Sequence, residues 1–441
     1  LSASLSEPVS RGVAVATPWA PEFDYRGGEL TAEEVPLARI AAAVGTPFYA
    51  YSSAQIERRF RQFAGAFLGT PTQICYSVKA NPNLAVIATL GRLGAGADVV
   101  SEGEFRRALK AGINGNRIIF SGVGKTATEL EFALAQGVRQ INVESLPELE
   151  MLSAIASRMG RVAPIAIRVN PDVDARTHAK ITTGRKENKF GIDLAHVAEA
   201  YRHATKLPGI APVGIAVHIG SQLTKLRPFE QAFRRIAELY RSLRAEGVEL
   251  ERLDLGGGLG IRYRDEDPPS IEAYAAMVKR VTGNLGAQLS FEPGRYLIGN
   301  AGVLVARVVY IKKGVAHRFV ILDAAMNDLM RPALYDAWHE ILPLNGPAPR
   351  RGMKAADVVG PICETGDSFA VKRQLPPLEA GDLVALMSAG AYGASMSSGY
   401  NTRLPAPEVL VCGAQFAVIR PRPSYDAVLI QDQVPPWLSE S

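Results

Sequence analysis

Cysteine is scarce in this chain: Cys75, Cys363 and Cys412 are the only three among 441 residues. So few, so widely spaced, exclude a disulfide framework as the source of stability. A reducing, cytoplasmic setting fits that usage best. Long apolar runs are missing as well. No stretch reaches the roughly 18 uninterrupted apolar residues of a membrane span. The first 22 residues, rich in Ser, Ala, Val and Pro, lack a basic segment followed by a sustained apolar one, which argues against a secretory signal; nothing else in them can be assigned. Blocks of one charge are absent too. The net charge is +5 with both signs mixed throughout, which leaves no basic patch for nucleic acid. There is no repeat at a solenoid period, and no metal is expected.

What is present is an ordinary globular composition, 47% apolar and 21% charged, in a chain too long for one typical domain. Between residues 53 and 298 short apolar or β-branched runs alternate with amphipathic stretches of helical period. Strands are expected at Gln73–Lys79, Ala97–Ser101, Arg117–Ser121, Gln140–Glu144, Pro164–Asn170, Pro212–Ile219, Arg252–Gly256 and Gln288–Pro293. Helices are expected at Asn83–Leu93, Glu102–Ala111, Thr126–Gln136, Leu146–Arg158, Leu194–His203, Pro228–Glu246 and Ile271–Leu285. This α/β rhythm matches a (β/α)8 barrel; a doubly wound open sheet is the alternative. The flanks, 23–52 and 299–441, read as extended pieces punctuated by Gly and Pro, among them Pro47–Tyr51, Val303–Lys312, Arg318–Asp323, Leu383–Met387, Glu408–Cys412 and Phe416–Pro421. They are expected to form one mostly β domain around an inserted barrel, with Ala348–Met353 and Gln374–Pro377 as loops.

Barrel enzymes carry their reactive groups where strands end. Lys79 ends the first expected strand. A lysine there either snorkels into solvent or faces a pocket, where it can form an imine with an aldehyde cofactor. His218 ends the sixth strand and is either a satisfied core histidine or a flat surface for an aromatic ring. Gly256-Gly257-Gly258 ends the seventh, as a tight turn or as an anion cradle. Glu292 ends the eighth, as a buried ion-pair partner or as the acid beside a pyridine nitrogen.

Taken in order, Tyr76–Asn81, Asp98–Ser101 with Gly103-Glu104, His218–Gln222, the triple glycine and Glu292–Arg295 resemble the fold-type III pyridoxal-phosphate-dependent decarboxylases. Asp323–Tyr335, Cys363–Asp367 and Gly390–Gly393 narrow the resemblance to the diaminopimelate decarboxylase family. It runs from about Phe23 to the C-terminus. It implies an alanine racemase-like arrangement of barrel and β domain. It implies pyridoxal 5'-phosphate bound to Lys79, with His218 on its ring and Glu292 at its nitrogen. Ser221, Gly256, Gly257, Gly258, Gly294, Arg295 and Tyr392 would surround the phosphate. Lys79, Cys363 and His218 are the catalytic candidates. Arg295, Arg331, Tyr335, Glu364 and Tyr392 are the substrate candidates. Cys363 and Glu364 would enter from a partner subunit, which makes the assembly a homodimer with shared sites.

The implied reaction is decarboxylation of meso-2,6-diaminopimelate to L-lysine, the last step of lysine biosynthesis. One end of that substrate reacts. The other needs a guanidinium for its carboxylate and a glutamate for its ammonium. Arg331 and Tyr335, four apart, would share a helix face. Cys363 would reprotonate the carbon that loses its carboxylate, and Thr183–Gly191 would act as a lid that excludes water. Competing readings are decarboxylation of ornithine, arginine or lysine, alanine racemisation, and a silent cofactor-binding homologue. Glu292 opposes racemisation, which favours a weaker electron sink. Arg331 with Tyr335 opposes substrates ending only in an amine. A silent homologue predicts loss of Lys79 or Cys363, and both are present. Thr365 and Gly399 depart from the family pattern without touching an assigned role.

Overall fold

The computed structural model describes residues 20–173, 189–315, 317–346 and 352–439. Eight parallel strands close on themselves. In chain order they are Thr72–Ser77, Gly96–Val99, Ile118–Phe120, Gln140–Val143, Ala163–Asn170, Ile210–Val217, Arg252–Asp254 and Gln288–Phe291. The eighth pairs back onto the first, so the sheet is a barrel and not an open doubly wound sheet. The seven helices expected between strands all form, with ends shifted by at most three residues.

Local chemistry sets where those helices begin. The Ser101 hydroxyl accepts the Glu104 N–H, Ser145 accepts that of Glu148, and Ser270 that of Ala273. Thr126 and Glu129 form a reciprocal capping box. Each such cap satisfies a donor that the first helical turn leaves unpaired. An aromatic cluster then fixes the barrel's outer layer: Phe63, Phe67, Tyr274 and Phe291 interlock, with Phe67 and Phe291 ring centroids 4.5 Å apart.

The second sheet is mixed and mostly antiparallel. Phe48–Ser52, which precedes the barrel, pairs antiparallel with Gly302–Lys313 and parallel with Glu408–Cys412, both of which follow it. Two expectations fail in the flanks. Leu37–Val44 is a helix, because Leu37, Ile40 and Ala41 put one apolar stripe against the core. Gln374 lies inside a strand, Ser368–Leu375, and not in a loop. That strand and Lys354–Val359 form an antiparallel pair. Their Ala, Lys and Arg content hides the pattern, because β propensity mostly reflects cross-strand packing. Of the expected loop Ala348–Met353, residues 348–351 lie outside the described residues, as do residues 183–188 of the expected lid. Among the described residues no helix is long and apolar enough to cross a membrane.

Candidate active site

The upper barrel interior is unusually polar. Ser77, Asp98, Gln140, Asn142, Asp254, Ser290 and Glu292 are all buried there. Lys79 follows the first strand in a short 3-10 turn, Val78–Ala80, and so does not itself end the strand. The turn lifts its side chain into a cavity of about 770 Å³, leaving 40% of it accessible. Lys79 Nζ lies 3.1 Å from Asp98 Oδ2, which also accepts from Ser77 Oγ at 2.7 Å. Burial opposes the lysine's charge, but Asp98, Tyr392 and Glu292 outweigh it and hold the ammonium above the usual lysine range. Burial alone would raise Asp98; the ammonium and the Ser77 hydroxyl instead hold it below the usual carboxylate range.

Glu292 stands at the opposite sign. Burial, with Asp254 and Asp98 nearby, pushes it well above the usual range against the pull of Lys79. Burial also pushes Asp254 up to about 6. The two carboxyl groups hydrogen-bond to each other, which requires a proton between them. Asn142 Nδ2 donates to Asp254 Oδ2 at 3.0 Å and reaches Glu292 Oε1 at 3.4 Å, while the Gly256 amide donates to Asp254 Oδ1. His218 accepts the Gly257 N–H on Nδ1, so a proton on this ring sits on Nε2. Burial, then Arg168 and Lys79, push its imidazole down to about 3, and the ring is neutral.

The triple glycine answers first to packing. Gly256 and Gly258 have φ of +65° and +102°, and a Cβ on either would come within 2.4 Å of the Val217 or Gly220 carbonyl oxygen. Two of the three amides already serve Asp254 and His218, and Gly258 is the one that lines the cavity. Around it stand Ser221, Gly294, Arg295 and Tyr392. Tyr392 has φ +57°, a conformation that costs about 1–3 kcal/mol and persists only where surroundings enforce it. Its amide is tied to the Ala80 carbonyl at 2.8 Å, next to Lys79.

Arg295 donates to Tyr263 Oη at 2.6 Å and to Ser221 Oγ at 3.1 Å, and lies 4.7 Å from the Tyr392 ring. Arg331 lies over the Tyr263 ring at 4.4 Å and donates to His339. Arg331 and Tyr335 occupy one short helix, Arg331–Tyr335, and both line the cavity. Both guanidiniums are buried, and the Nε of each has no hydrogen-bond partner. Cys363 and Glu364 behave differently. They are exposed, on a loop pinned by Asp367 to Met326 and Ile362, and they do not line this chain's own cavity. Tyr263, His339 and Asp254 received no role from the sequence. Asp254 was visible as an acid in a buried strand; Tyr263 and His339 carry no motif.

The residues fit pyridoxal phosphate. The cavity offers one amine in Lys79, an acid pair beneath it that shares a proton, a neutral flat imidazole, and a buried guanidinium in Arg295 whose Nε has no hydrogen-bond partner.

Residues 53–299 match the sequence profile described as pyridoxal-dependent decarboxylase, pyridoxal binding domain. The diaminopimelate decarboxylase of Zymomonas mobilis is 50% identical over 421 residues, covering 94% of this chain and 99% of that protein. The crystal structure of diaminopimelate decarboxylase from Helicobacter pylori complexed with L-lysine superposes with a TM-score of 0.86 at 41% identity, covering 90% of this chain and 98% of that one. The enzyme of the same name from M. jannaschii, also with L-lysine, gives 0.90 at 34% identity, with 95% and 99% covered. The chain therefore belongs to the pyridoxal-dependent decarboxylases and, within them, to the diaminopimelate decarboxylase family.

Proposed function

We propose that the chain decarboxylates meso-2,6-diaminopimelate at its D centre, yielding L-lysine and CO2 as the last step of lysine biosynthesis. The observation that carries this reading is the pair of buried guanidiniums, Arg295 and Arg331, in the cavity that holds Lys79. Their recorded partners are neutral side chains. A buried cation without a counter-ion favours an anionic ligand. A substrate ending only in an ammonium would meet repulsion from Arg331; a second carboxylate would meet a forked donor.

Bound pyridoxal phosphate supplies the electron sink that takes up the pair left when CO2 departs. Lys79 anchors it, and Asp98 keeps the lysine nitrogen oriented into the cavity. Glu292, backed by Asp254 and Asn142, holds a proton and would present it to the ring nitrogen. His218, being neutral, supports the ring without opposing its charge. Ser221, Gly258, Gly294, Arg295 and Tyr392 would surround the phosphate, with Gly256 and Gly257 forming the turn behind Gly258. Arg331 and Tyr335 receive the far end of the substrate. Cys363 and Glu364 come from a second copy of the chain, so the working unit is a homodimer. Cys363 delivers the proton that replaces the carboxylate, and Glu364 receives the distal ammonium. Cysteines without disulfides suit a reducing compartment, and the enzyme works in the cytoplasm.

The test is CO2 release from meso-diaminopimelate, L-ornithine and L-arginine, with and without added cofactor. Release from meso-diaminopimelate alone, dependent on pyridoxal phosphate, is expected. Release only from ornithine or arginine would sink the substrate assignment.

A further inference from the structure

Behind the cavity wall, His339 is 1% exposed and does not line the cavity. Its Nδ1 lies 2.7 Å from the Met387 carbonyl oxygen, and its Nε2 lies 2.9 Å from Arg331 Nη1. Chemistry fixes both roles. A carbonyl only accepts, so Nδ1 carries hydrogen. A guanidinium only donates, so Nε2 offers its lone pair. The imidazole is therefore a neutral acceptor, and no other tautomer or charge state satisfies both neighbours.

The rest of the packing holds the ring still. Arg373 Nη1 donates to the His339 carbonyl at 2.8 Å. The Met387 amide donates to the Glu340 carbonyl at 2.8 Å, which ties the two segments together beside the imidazole. Tyr263 meets His339 edge-on, with centroids 5.7 Å apart at 78°, and offers its face to Arg331. Burial, with Arg331, Arg373 and Arg295 around it, pushes the imidazole down to about 3, so it stays neutral wherever the enzyme works.

We propose that His339 is a positioning residue: by accepting from Arg331 without neutralising it, it aims a fully charged guanidinium at the second carboxylate of the substrate and so sets the preference for dicarboxylate substrates. A carboxylate at this position would hold Arg331 as firmly but would cancel the charge that the ligand must find. This inference rests on the functional reading above, in which Arg331 receives the distal end.

D-lysine is the discriminating comparator. It is meso-diaminopimelate without the distal carboxylate, and it presents the same D centre to the cofactor. The test compares holoenzyme kinetics on both compounds for the native chain, His339→Phe and His339→Gln. Phenylalanine keeps the bulk and removes the acceptor; glutamine keeps an acceptor and a donor. His339→Phe should raise KM for meso-diaminopimelate at least tenfold with kcat reduced less than threefold. Its kcat/KM on D-lysine should change less than threefold. His339→Gln should recover most of the preference. Calorimetry of the holoenzyme supplies a second readout. L-lysine, which retains the distal carboxylate, should bind His339→Phe at least tenfold more weakly, while 1,5-diaminopentane binds as before. Should the phenylalanine variant not fold, His339→Asn, too short to span Met387 and Arg331, is expected to show the same loss. Equal losses on both substrates, or an unchanged preference, would overturn the proposal. A native enzyme with no preference for meso-diaminopimelate over D-lysine would instead overturn the functional reading beneath it.

Discussion

The floor and the far wall of the cavity solve opposite electrostatic problems. The floor is built from barrel strands or the residues just past them, Asp98, Asn142, Asp254 and Glu292, and it gathers three acids around one lysine. Its charges are managed by mutual hydrogen bonds and a shared proton. The wall is built from the loop that carries Tyr263 and the short helices that open with Arg295 and Arg331, with His339 behind them, and it gathers two cations whose hydrogen-bond partners among the described residues include no acid. Its charges are managed by aromatic faces and a neutral imidazole, at 4.4 Å from Arg331 to Tyr263 and 4.7 Å from Arg295 to Tyr392. An aromatic face stabilises a guanidinium without consuming its charge. The floor thus holds protons for chemistry, and the wall holds positive charge for recognition.

The largest expected effect breaks the floor. Lys79→Ala should abolish turnover and the visible absorbance band of the lysine-bound cofactor; persistence of that band would contradict the anchor role. Cys363→Ala should lower kcat by about 100-fold or more, the usual worth of a positioned general acid. In the proposed shared site the two lesions lie on different chains. Refolding equal amounts of the two inactive variants together should therefore restore about a quarter of native activity, since half of the dimers are mixed and each has one intact site. No recovery would place both residues in one chain's site.

A smaller effect breaks the wall alone. Arg331→Met should lower kcat/KM on meso-diaminopimelate by about 100-fold, equivalent to about 3 kcal/mol of charge-assisted hydrogen bonding. On D-lysine the change should be far smaller. Equal losses on both would mean that Arg331 shapes the cavity and does not read a carboxylate.

The two regions also differ in how much of them the sequence discloses. Strands with period-two or continuous apolar patterns, and helices opened by Ser or Thr caps, carry their own signal, so the barrel is legible to within a few residues. Lys79, His218 and Glu292 stand out because polar residues interrupt apolar runs at strand ends. Asp98 and Asp254 interrupt such runs too, yet their partnerships with Lys79 and Glu292 depend on which strands become neighbours, and closure of the barrel is what brings Asp98 to Glu292, 194 positions away. The wall is harder. His339 matters through a contact with Arg331 eight residues away and with Met387 forty-eight away, and neither contact lies within a single helix or strand. The helix Leu37–Val44 is a different failure, because its 3–4 apolar spacing was present but short.

The smallest expected effect returns to the floor and concerns stability. Asp254 sits at about 6 in the folded chain, against about 3.9 for an unfolded aspartate. Below about pH 4 it is protonated in both states and adds no pH-dependent penalty. As pH rises through about 6 the folded chain must ionise a buried acid beside Glu292, and stability falls. Asp254→Asn removes that ionisation. In cofactor-free protein the variant should lose less stability than the native chain between pH 5 and 8, by about 1–3 kcal/mol at the upper end. The amide has one acceptor oxygen for the donors of Asn142, Gln140 and Gly256, so part of the gain is offset by lost hydrogen bonds at every pH. Urea denaturation at pH 5, 6, 7 and 8 separates the two, since the hydrogen-bond loss shifts the curve and the ionisation changes its slope. An identical pH slope in variant and native chain would mean that Asp254 is ionised throughout, and that the proton shared beneath the cofactor belongs to Glu292 alone.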